Sequence, residues 1–148
     1  MSAVKYKNES IFKENEILEL YKDVGWKAYT ECPDKLMKAI SKSLFVLSAR
    51  DGDRLVGLLR IVGDAETIIY IQDILVLKEY QHRGIGSQLV QKAINKFKDV
   101  RQTVILTDDQ KKTKDFYRSN GFKPAGKLNL VSFVRINNQT NKKNREDL

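Results

Sequence analysis

The chain has 148 residues and a formal net charge of +8, with 41% hydrophobic and 31% charged residues, a balance typical of one globular domain with a sizeable core. No run reaches the roughly 18 apolar residues of a membrane span, and the segment 1–5 lacks the apolar core of a signal peptide, so we expect a cytoplasmic protein without a membrane partner. Cys32 and His82 are the only cysteine and histidine, which excludes an internal disulfide, a Ser-His-Asp triad elsewhere and a cysteine-based or multi-histidine metal site.

Apolar residues recur at helical spacing in four segments and in strand-like runs in seven, with glycine, proline or Asp-Gly between many of them. This order predicts one mixed α/β domain over residues 1–136 and a flexible polar tail over 137–148. The predicted helices are Phe12–Val24, Pro33–Ser43, Ile85–Phe97 and Lys112–Ser119, and the predicted strands are Val4–Lys7, Leu44–Ala49, Leu55–Val62, Thr67–Leu77, Val104–Leu106, Phe122–Ala125 and Leu130–Arg135.

A loop with two glycines, Gln81-His82-Arg83-Gly84-Ile85-Gly86, joins the longest predicted strand to an amphipathic helix. The first N–H groups of a helix have no intrahelical acceptor and carry the positive end of the helix dipole, so they suit a phosphate or pyrophosphate. Glycine lets the backbone approach such a ligand closely, and Arg83 adds a permanent positive charge. The sequence therefore predicts a binder of a phosphorylated cofactor.

Three cofactor classes use such a loop. A Walker A loop requires Lys-Ser or Lys-Thr after its last glycine, and Ser87-Gln88 stands there instead. A Rossmann fingerprint requires glycine or alanine where this chain has Leu89, although Asp108 lies at about the 20-residue distance that the fingerprint requires. The upstream hairpin around Asp51-Gly52 also fits a parallel dinucleotide fold poorly. Coenzyme A is the third class.

Two motifs resemble the GNAT family of N-acetyltransferases. One is Gln81-x-x-Gly84-x-Gly86, and the other is Phe116-Tyr117-x-x-x-Gly121-Phe122, about thirty residues later. The order of predicted elements is similar to that family's over residues 4–135. The resemblance implies a central, mostly antiparallel mixed sheet that is splayed beside the cofactor strand, with helices on both faces. It also implies acetyl-CoA as co-substrate and no metal.

The resemblance assigns cofactor contacts to the loop, to the fourth strand and to the second motif. The loop surrounds the pyrophosphate, the strand pairs with the pantetheine arm, and a backbone N–H there, that of Leu75, polarises the thioester carbonyl. Tyr117 is the general acid for the leaving thiolate, or else it only packs in the core beside Phe116. The expected cofactor residues are Ile74, Leu75, Val76, Gln81, His82, Arg83, Gly84, Ile85, Gly86, Ser87 and Phe116.

Asp73 is the candidate general base, because a carboxylate inside an apolar strand is costly unless it is paired or functional. A salt-bridged structural role is the alternative. Gln72 and Asp73 point to opposite faces of a strand, so one of the two faces the substrate. Trp26, Tyr29 and Tyr80 are candidates for lining an amine site, since aromatic faces attract cations, or else they pack in the core.

A narrower resemblance, to plant plastid-type serotonin N-acetyltransferases and their small bacterial relatives, rests on Val24-Gly25-Trp26, Lys42-Ser43, Asp73–Val76 and Glu79–Gln81. The predicted activity is acetyl transfer from acetyl-CoA to a primary amine of a small molecule or peptide, by direct attack in a ternary complex. The alternatives are a non-catalytic acyl-CoA-binding or sensing module and a nucleic-acid-associated protein. The charge is scattered rather than confined to one face, which disfavours nucleic acid. Homodimerisation is left open.

Overall fold

The computed structural model describes residues 3–137, and the chain divides into two compact units, residues 1–106 and residues 107–148. The single domain over 1–136 stays a prediction. The predicted flexible tail lies outside the described residues from 138 onward. In the described part, every helix is too short or too polar to cross a bilayer.

A five-stranded sheet with the order β1-β2-β3-β4-β5 forms the centre of the first unit. The first three pairings are antiparallel and the β4–β5 pairing is parallel, which confirms the mostly antiparallel mixed sheet. All five strands of this unit were predicted to within two residues at each end. The strands are β1 (Val4–Asn8), β2 (Phe45–Asp51), β3 (Arg54–Gly63), β4 (Ile68–Val76) and β5 (Gln102–Ile105).

Three helices precede β2 and one follows β4. Pro33 occupies the first turn of α3, where its missing N–H costs nothing. Gly25, at φ +80°, follows the end of α1. The four-residue helix α2 was not predicted, because one turn is too short to show a hydrophobic period. The helices are α1 (Glu14–Asp23), α2 (Lys27–Thr30), α3 (Pro33–Ser41) and α4 (Ile85–Lys96).

Helices cover both faces of this sheet. A Cβ at Gly57 would lie 3.4 Å from Ile85 of α4, so glycine allows α4 to approach β3 closely. Arg60 is three residues further along β3 and therefore points to the opposite face, where its partner Asp73 bonds Tyr21 of α1. Ile17 and Leu20 of α1 and Leu89 and Val90 of α4 are fully buried, and between them they fill a core on each side of the sheet.

The second unit begins with α5 (Lys111–Ser119) and continues into a 3₁₀ turn (Ala125–Leu128). Gly121, at φ +93°, follows the helix, and the N–H of Phe122 bonds the carbonyl of Tyr117, as a helix end of this type requires. The two final predicted strands, Phe122–Ala125 and Leu130–Arg135, are wrong. Neither segment pairs with a strand among the described residues, and propensity alone does not make a strand without a neighbour to hydrogen-bond.

The β3–β4 turn gives a test of backbone constraint. Gly63 has φ +142°, and a Cβ there would lie 2.5 Å from the carbonyl oxygen of Ile68. We expect Gly63→Ala to lower the free energy of unfolding by about 1–3 kcal/mol, from strain together with the clash, measured by urea denaturation. The matched control is Gly126→Ala, where a Cβ meets nothing within 4 Å. Equal stability of the two variants would contradict this account of the turn.

Candidate active site

The glycine loop follows a 3₁₀ turn (Lys78–Tyr80) and opens α4. His82 has φ +65° and Gly84 has φ +82°, so two left-handed residues flank Arg83. Left-handed residues in a turn can direct neighbouring N–H groups to one side, as in known anion-binding concavities. The N-terminal amides of α4 add to such a site, beginning at Ile85. The local backbone therefore fits a diphosphate, with His82 adopting a conformation that non-glycine residues seldom adopt.

Two side chains fasten this loop to the rest of the first unit. The Gln81 Nε2 group donates to the carbonyl of Val76 at 2.9 Å. Arg83 donates through Nη2 to the carbonyl of Glu79 at 2.9 Å, and its guanidinium lies 4.8 Å from the ring centroid of Tyr80. Gln81 thus ties the loop to the end of β4, and Arg83 keeps its charge beside the turn.

One edge of β4 is released from β5 over the second half of the strand. The β4–β5 register ends at Ile71 opposite Ile105, whereas β4 continues to Val76. Beyond Ile71, the outward-facing backbone groups of β4 are therefore free of β5. This is the splay that the family resemblance implies.

The register of β3 and β4 decides which backbone groups of β4 face the free edge. Leu77 donates its N–H to the carbonyl of Val56 on β3, and Leu75, two residues earlier, therefore also turns its backbone groups to β3. The backbone N–H groups of Ile74 and Val76 point to the free edge instead. The backbone N–H of Leu75, predicted to polarise the thioester carbonyl, is therefore turned toward β3 and away from the free edge.

A β-bulge interrupts β4 at Gln72. Arg60 pairs with Asp73 and Ile61 pairs with Ile71, so Gln72 is an extra residue without a partner on β3. A bulge re-aims side chains and bends the strand locally. Here Gln72 is exposed while Asp73 is buried, and the free edge of β4 begins at this same point.

Asp73 is the centre of a buried polar cluster. Its carboxylate accepts from Arg60 Nε at 2.7 Å, from the Tyr21 hydroxyl at 2.8 Å and from the Tyr29 hydroxyl at 3.0 Å. The side chains of Arg60 and Asp73 are only 6% and 1% exposed. The Tyr29 oxygen also accepts from Gln72 Nε2 at 3.1 Å. A chain of hydrogen bonds therefore runs from the exposed bulge to the buried acid.

Burial and charge shift the pKa values of this cluster. Burial lowers the pKa of the Arg60 guanidinium, but the adjacent Asp73 carboxylate outweighs burial and raises that pKa above its ordinary value. Burial raises the pKa of the Tyr21 and Tyr29 phenols, and the negative charge of Asp73 raises it further. At neutral pH the two phenols and the guanidinium thus remain protonated donors to Asp73.

Trp26 and Tyr29, two of the candidates for an amine site, lie next to each other beside this cluster. Their ring centroids are 6.1 Å apart, and Tyr21 contacts both rings edge-on at 5.8 and 5.4 Å. Such edge-to-face pairs fix ring positions. Trp26 precedes α2 and Tyr29 lies within it, so the helix that the sequence did not predict positions the aromatic part of the site.

Tyr80 lies in a different group of side chains. Its hydroxyl donates to Asp51 Oδ2 at 2.5 Å, and the guanidinium groups of Arg54 and Arg83 lie 5.8 and 4.8 Å from its ring centroid. Arg54 in turn pairs with Glu19 and Glu79. Tyr80 thus joins the loop to the β2–β3 hairpin, whereas Tyr29 bonds Asp73 and Trp26 packs against Tyr21 and Tyr29.

Tyr117 belongs to α5 and is the only buried aromatic residue among the described residues of the second unit. Its ring meets Phe116 and Phe122 edge-on, at centroid distances of 5.0 and 5.7 Å. Burial raises the pKa of its phenol, with a further contribution from the charge of Asp108. Among the described residues the hydroxyl has no hydrogen-bond partner, although the residue is 8% exposed. A buried hydroxyl without a partner is unusual in a protein.

Sequence reasoning missed Arg60 and Tyr21. The signal for Arg60 was present, because an arginine within the apolar run Leu55–Val62 is as costly as an aspartate within the following strand. Two opposite charges in neighbouring antiparallel strands predict a cross-strand pair. Tyr21 gave no such signal, because a tyrosine on the apolar face of a helix is predicted to pack in the hydrophobic core.

The comparisons with known proteins identify the family. Residues 14–122 match the family model described as "Acetyltransferase (GNAT) family". A GNAT-family acetyltransferase from Streptococcus pneumoniae is 36% identical and has a TM-score of 0.82, with 93% of this chain and 100% of that chain covered. This protein therefore belongs to the GNAT acetyltransferase family, which confirms the family expected from the two motifs. No curated protein matches the sequence.

More distant solved structures share the fold. The PaiA N-acetyltransferase of Thermoplasma acidophilum, solved in complex with coenzyme A, is 18% identical with a TM-score of 0.72 and covers 82% of this chain and 90% of its own. An aminoglycoside acetyltransferase from an uncultured soil metagenomic sample, solved with sisomicin, is 19% identical with a TM-score of 0.64 and covers 94% and 97%. At this identity the likeness concerns the fold alone.

The buried ion pair gives a stability test. Asp73→Asn removes the charge that compensates Arg60, and loss of one partner of a buried pair costs about 3–5 kcal/mol. We expect a decrease of that order in the free energy of unfolding, measured with urea. The control, Asp115→Asn, disrupts an exposed pair with Lys111 and should cost less than about 1 kcal/mol. Similar decreases in the free energy of unfolding of both variants would show that the buried pair stabilises the fold no more than an exposed pair does.

Proposed function

We propose that this protein transfers an acetyl group from acetyl-CoA to a primary amine of a small molecule or peptide, by direct attack in a ternary complex. One observation carries the proposal: the β4 edge that β5 releases beyond Ile71 runs directly into the left-handed loop at the start of α4. A free strand edge suits an extended amide-bearing arm, and the loop suits a diphosphate. Membership of the GNAT family supports the same reading.

The cofactor side of the proposal uses mostly backbone. The amides of residues 82–87 hold the diphosphate, and the outward N–H groups of Ile74 and Val76 hold the pantetheine amides or the thioester carbonyl. Gln81 keeps strand and loop in a fixed relation through Val76. When bound, acetyl-CoA supplies the thioester that makes the acetyl group transferable. An N–H group fixed by the sheet needs no reorganisation to stabilise negative charge on that carbonyl.

The amine side uses the cluster around Asp73. Trp26 and Tyr29 offer aromatic faces to the cationic form of the amine, which gives up a proton to solvent before its neutral nitrogen attacks the thioester carbonyl. Three donors converge on Asp73, one of them a permanent cation. In the proposal Asp73 is therefore a positioning residue that orients the Tyr29 hydroxyl, and the salt-bridged alternative is favoured over a general base. Tyr80 supports the loop instead of lining the amine site.

Tyr117 is the proposed proton donor to the departing thiolate. Its motif position supports this role, as does the buried hydroxyl without a hydrogen-bond partner among the described residues. The raised pKa keeps the phenol protonated at neutral pH, as an acid requires before the reaction. The cytoplasmic location and the narrower resemblance to serotonin N-acetyltransferases stay predictions from the sequence.

Cofactor binding is tested first by thermal shift with acetyl-CoA and CoA, with NAD and ATP as controls. A ligand at about 100 times its dissociation constant adds about 2.7 kcal/mol, which corresponds to several degrees. We expect shifts with acetyl-CoA and CoA only, and about tenfold weaker affinity in Gly84→Ala, because alanine is strained at φ +82°. Gly52→Ala, at φ +62° in the β2–β3 hairpin, has similar strain outside the loop and should keep full affinity. Shifts with NAD or ATP alone would refute the cofactor assignment.

Catalysis is tested by release of the CoA thiol in the presence of an arylalkylamine, a polyamine, an aminoglycoside and a peptide N-terminus. We expect Tyr117→Phe to lower kcat by about 100-fold, the scale of general acid catalysis, and to leave the KM for acetyl-CoA unchanged, because the ring contacts remain. Tyr6→Phe on β1 is the control with full activity. Tight acetyl-CoA binding with no thiol release from any amine would favour the non-catalytic acyl-CoA-binding alternative.

A further inference from the structure

The side-chain amide of Gln72 lies where several features of the first unit meet. The β-bulge leaves Gln72 without a partner on β3, and the free edge of β4 begins directly after Ile71. The side chain reaches toward α2, because its Nε2 lies 3.1 Å from the Tyr29 hydroxyl. Gln72 therefore stands between the free strand edge and the aromatic side chains of the proposed amine site.

Hydrogen bonding determines which end of this amide faces Tyr29. A phenol has one proton to donate, and the Asp73 carboxylate can only accept. Tyr29 therefore gives its proton to Asp73, at 3.0 Å, and its oxygen accepts from Gln72. The NH₂ end of the amide must face Tyr29, so the carbonyl oxygen Oε1 faces away from it. Within residues 3–106 that oxygen accepts no hydrogen bond.

The buried ion pair holds this orientation in place. Arg60 and the Tyr21 hydroxyl also donate to Asp73, so the carboxylate is surrounded by donors and keeps its position. Tyr29 is fixed by that carboxylate and in turn fixes the amide of Gln72. A free glutamine side chain loses rotamer freedom when it binds a ligand. An acceptor that is already oriented avoids most of this cost and binds more tightly.

We propose that Gln72 Oε1 accepts a hydrogen bond from the nitrogen of the acceptor amine and thereby directs the lone pair of that nitrogen toward the thioester. This inference rests on the proposed function and adds a substrate-binding residue to it. The outward N–H of Ile74 lies two residues further along β4, about 7 Å along the strand. An amine held by Oε1 is therefore within reach of a carbonyl held at that N–H.

The hydrogen bond to Gln72 serves each stage of the transfer. The cationic amine donates one N–H to Oε1 on binding, and after it loses a proton to water it still has an N–H for Oε1 and a free lone pair. When the nitrogen bonds the carbonyl carbon it becomes positive again, and hydrogen bonds from charged donors are about twice as strong. As the C–S bond breaks, the nitrogen loses a second proton and the thiolate takes one. Gln72 thus stabilises the transition state more than the neutral amine.

Calorimetric titration with amines, in the presence and absence of CoA, tests Gln72 without catalysis. The probes are phenethylamine, spermidine, kanamycin and trialanine. We expect Gln72→Met to bind the best probe about tenfold more weakly than the wild type, the scale of one hydrogen bond to a charged group. The control, Gln91→Met on the exposed side of α4, makes the same change of side chain and should keep wild-type affinity. Equal affinities of the wild type and Gln72→Met, or no binding of any probe, would overturn the proposal.

A double-mutant cycle tests whether Tyr29 acts by orienting Gln72. Tyr29→Phe keeps the ring but lets the amide rotate, and should weaken amine binding about threefold through the regained rotamer freedom. In the Gln72→Met protein the same substitution should have no further effect, because no amide remains to be oriented. Additive losses would show that the hydroxyl does not act through Gln72 and would refute its orienting role.

Thiol release separates this inference from the proposed function. Gln72→Met should lower kcat/KM for the amine by at least the factor by which it lowers affinity, and should leave the KM for acetyl-CoA unchanged, because Gln72 contacts the amine alone. Amine binding that depends on Gln72 but gives no thiol release would refute the transfer and support the amine contact. Thiol release that is unaffected by Gln72→Met would refute the role of Gln72 and support the transfer.

Discussion

The buried pair of Arg60 and Asp73 is the interaction on which the rest of the site depends. Two charges withdrawn from water are costly unless each oxygen and nitrogen finds a partner, and here two tyrosine hydroxyls complete the shell of the carboxylate. The pair joins β3 to β4 at the bulge, and the hydroxyls join this point to α1 and α2. A single polar cluster thus fixes both the start of the free strand edge and the place of the aromatic side chains.

β4 combines three constraints that are usually distributed over several elements. Its first half pairs on both sides, its bulge turns Gln72 outward and Asp73 inward, and its second half keeps only β3 as a neighbour. The strand then leads, through a 3₁₀ turn, into the loop that holds the left-handed residues His82 and Gly84. The free edge and this loop are consecutive along the chain, so their separation is set by covalent geometry more than by packing.

The sequence predicted those elements of the fold that local residue patterns determine. Helices α1, α3, α4 and α5 and all five strands of the first unit follow from hydrophobic period and turn residues, and the glycine loop follows from its position between strand and helix. The sequence did not predict the strand register or the hydrogen-bond partners of the backbone. Which amide of β4 is free depends on hydrogen bonds to β3, and the wrong strand at Leu130–Arg135 has strand propensity without a neighbour. A one-turn helix such as α2 is too short to show a period, although it positions Tyr29.

Trp26 is the only tryptophan of the chain, and it touches Tyr21 and Tyr29 beside the Asp73 cluster. The ultraviolet emission of this protein under selective indole excitation therefore originates at one place, at the rim of the aromatic group. Quenching by neighbouring groups and by water makes that emission sensitive to the arrangement of two or three side chains. The molecule carries a built-in optical reporter of the region where α1, α2 and the bulged strand meet.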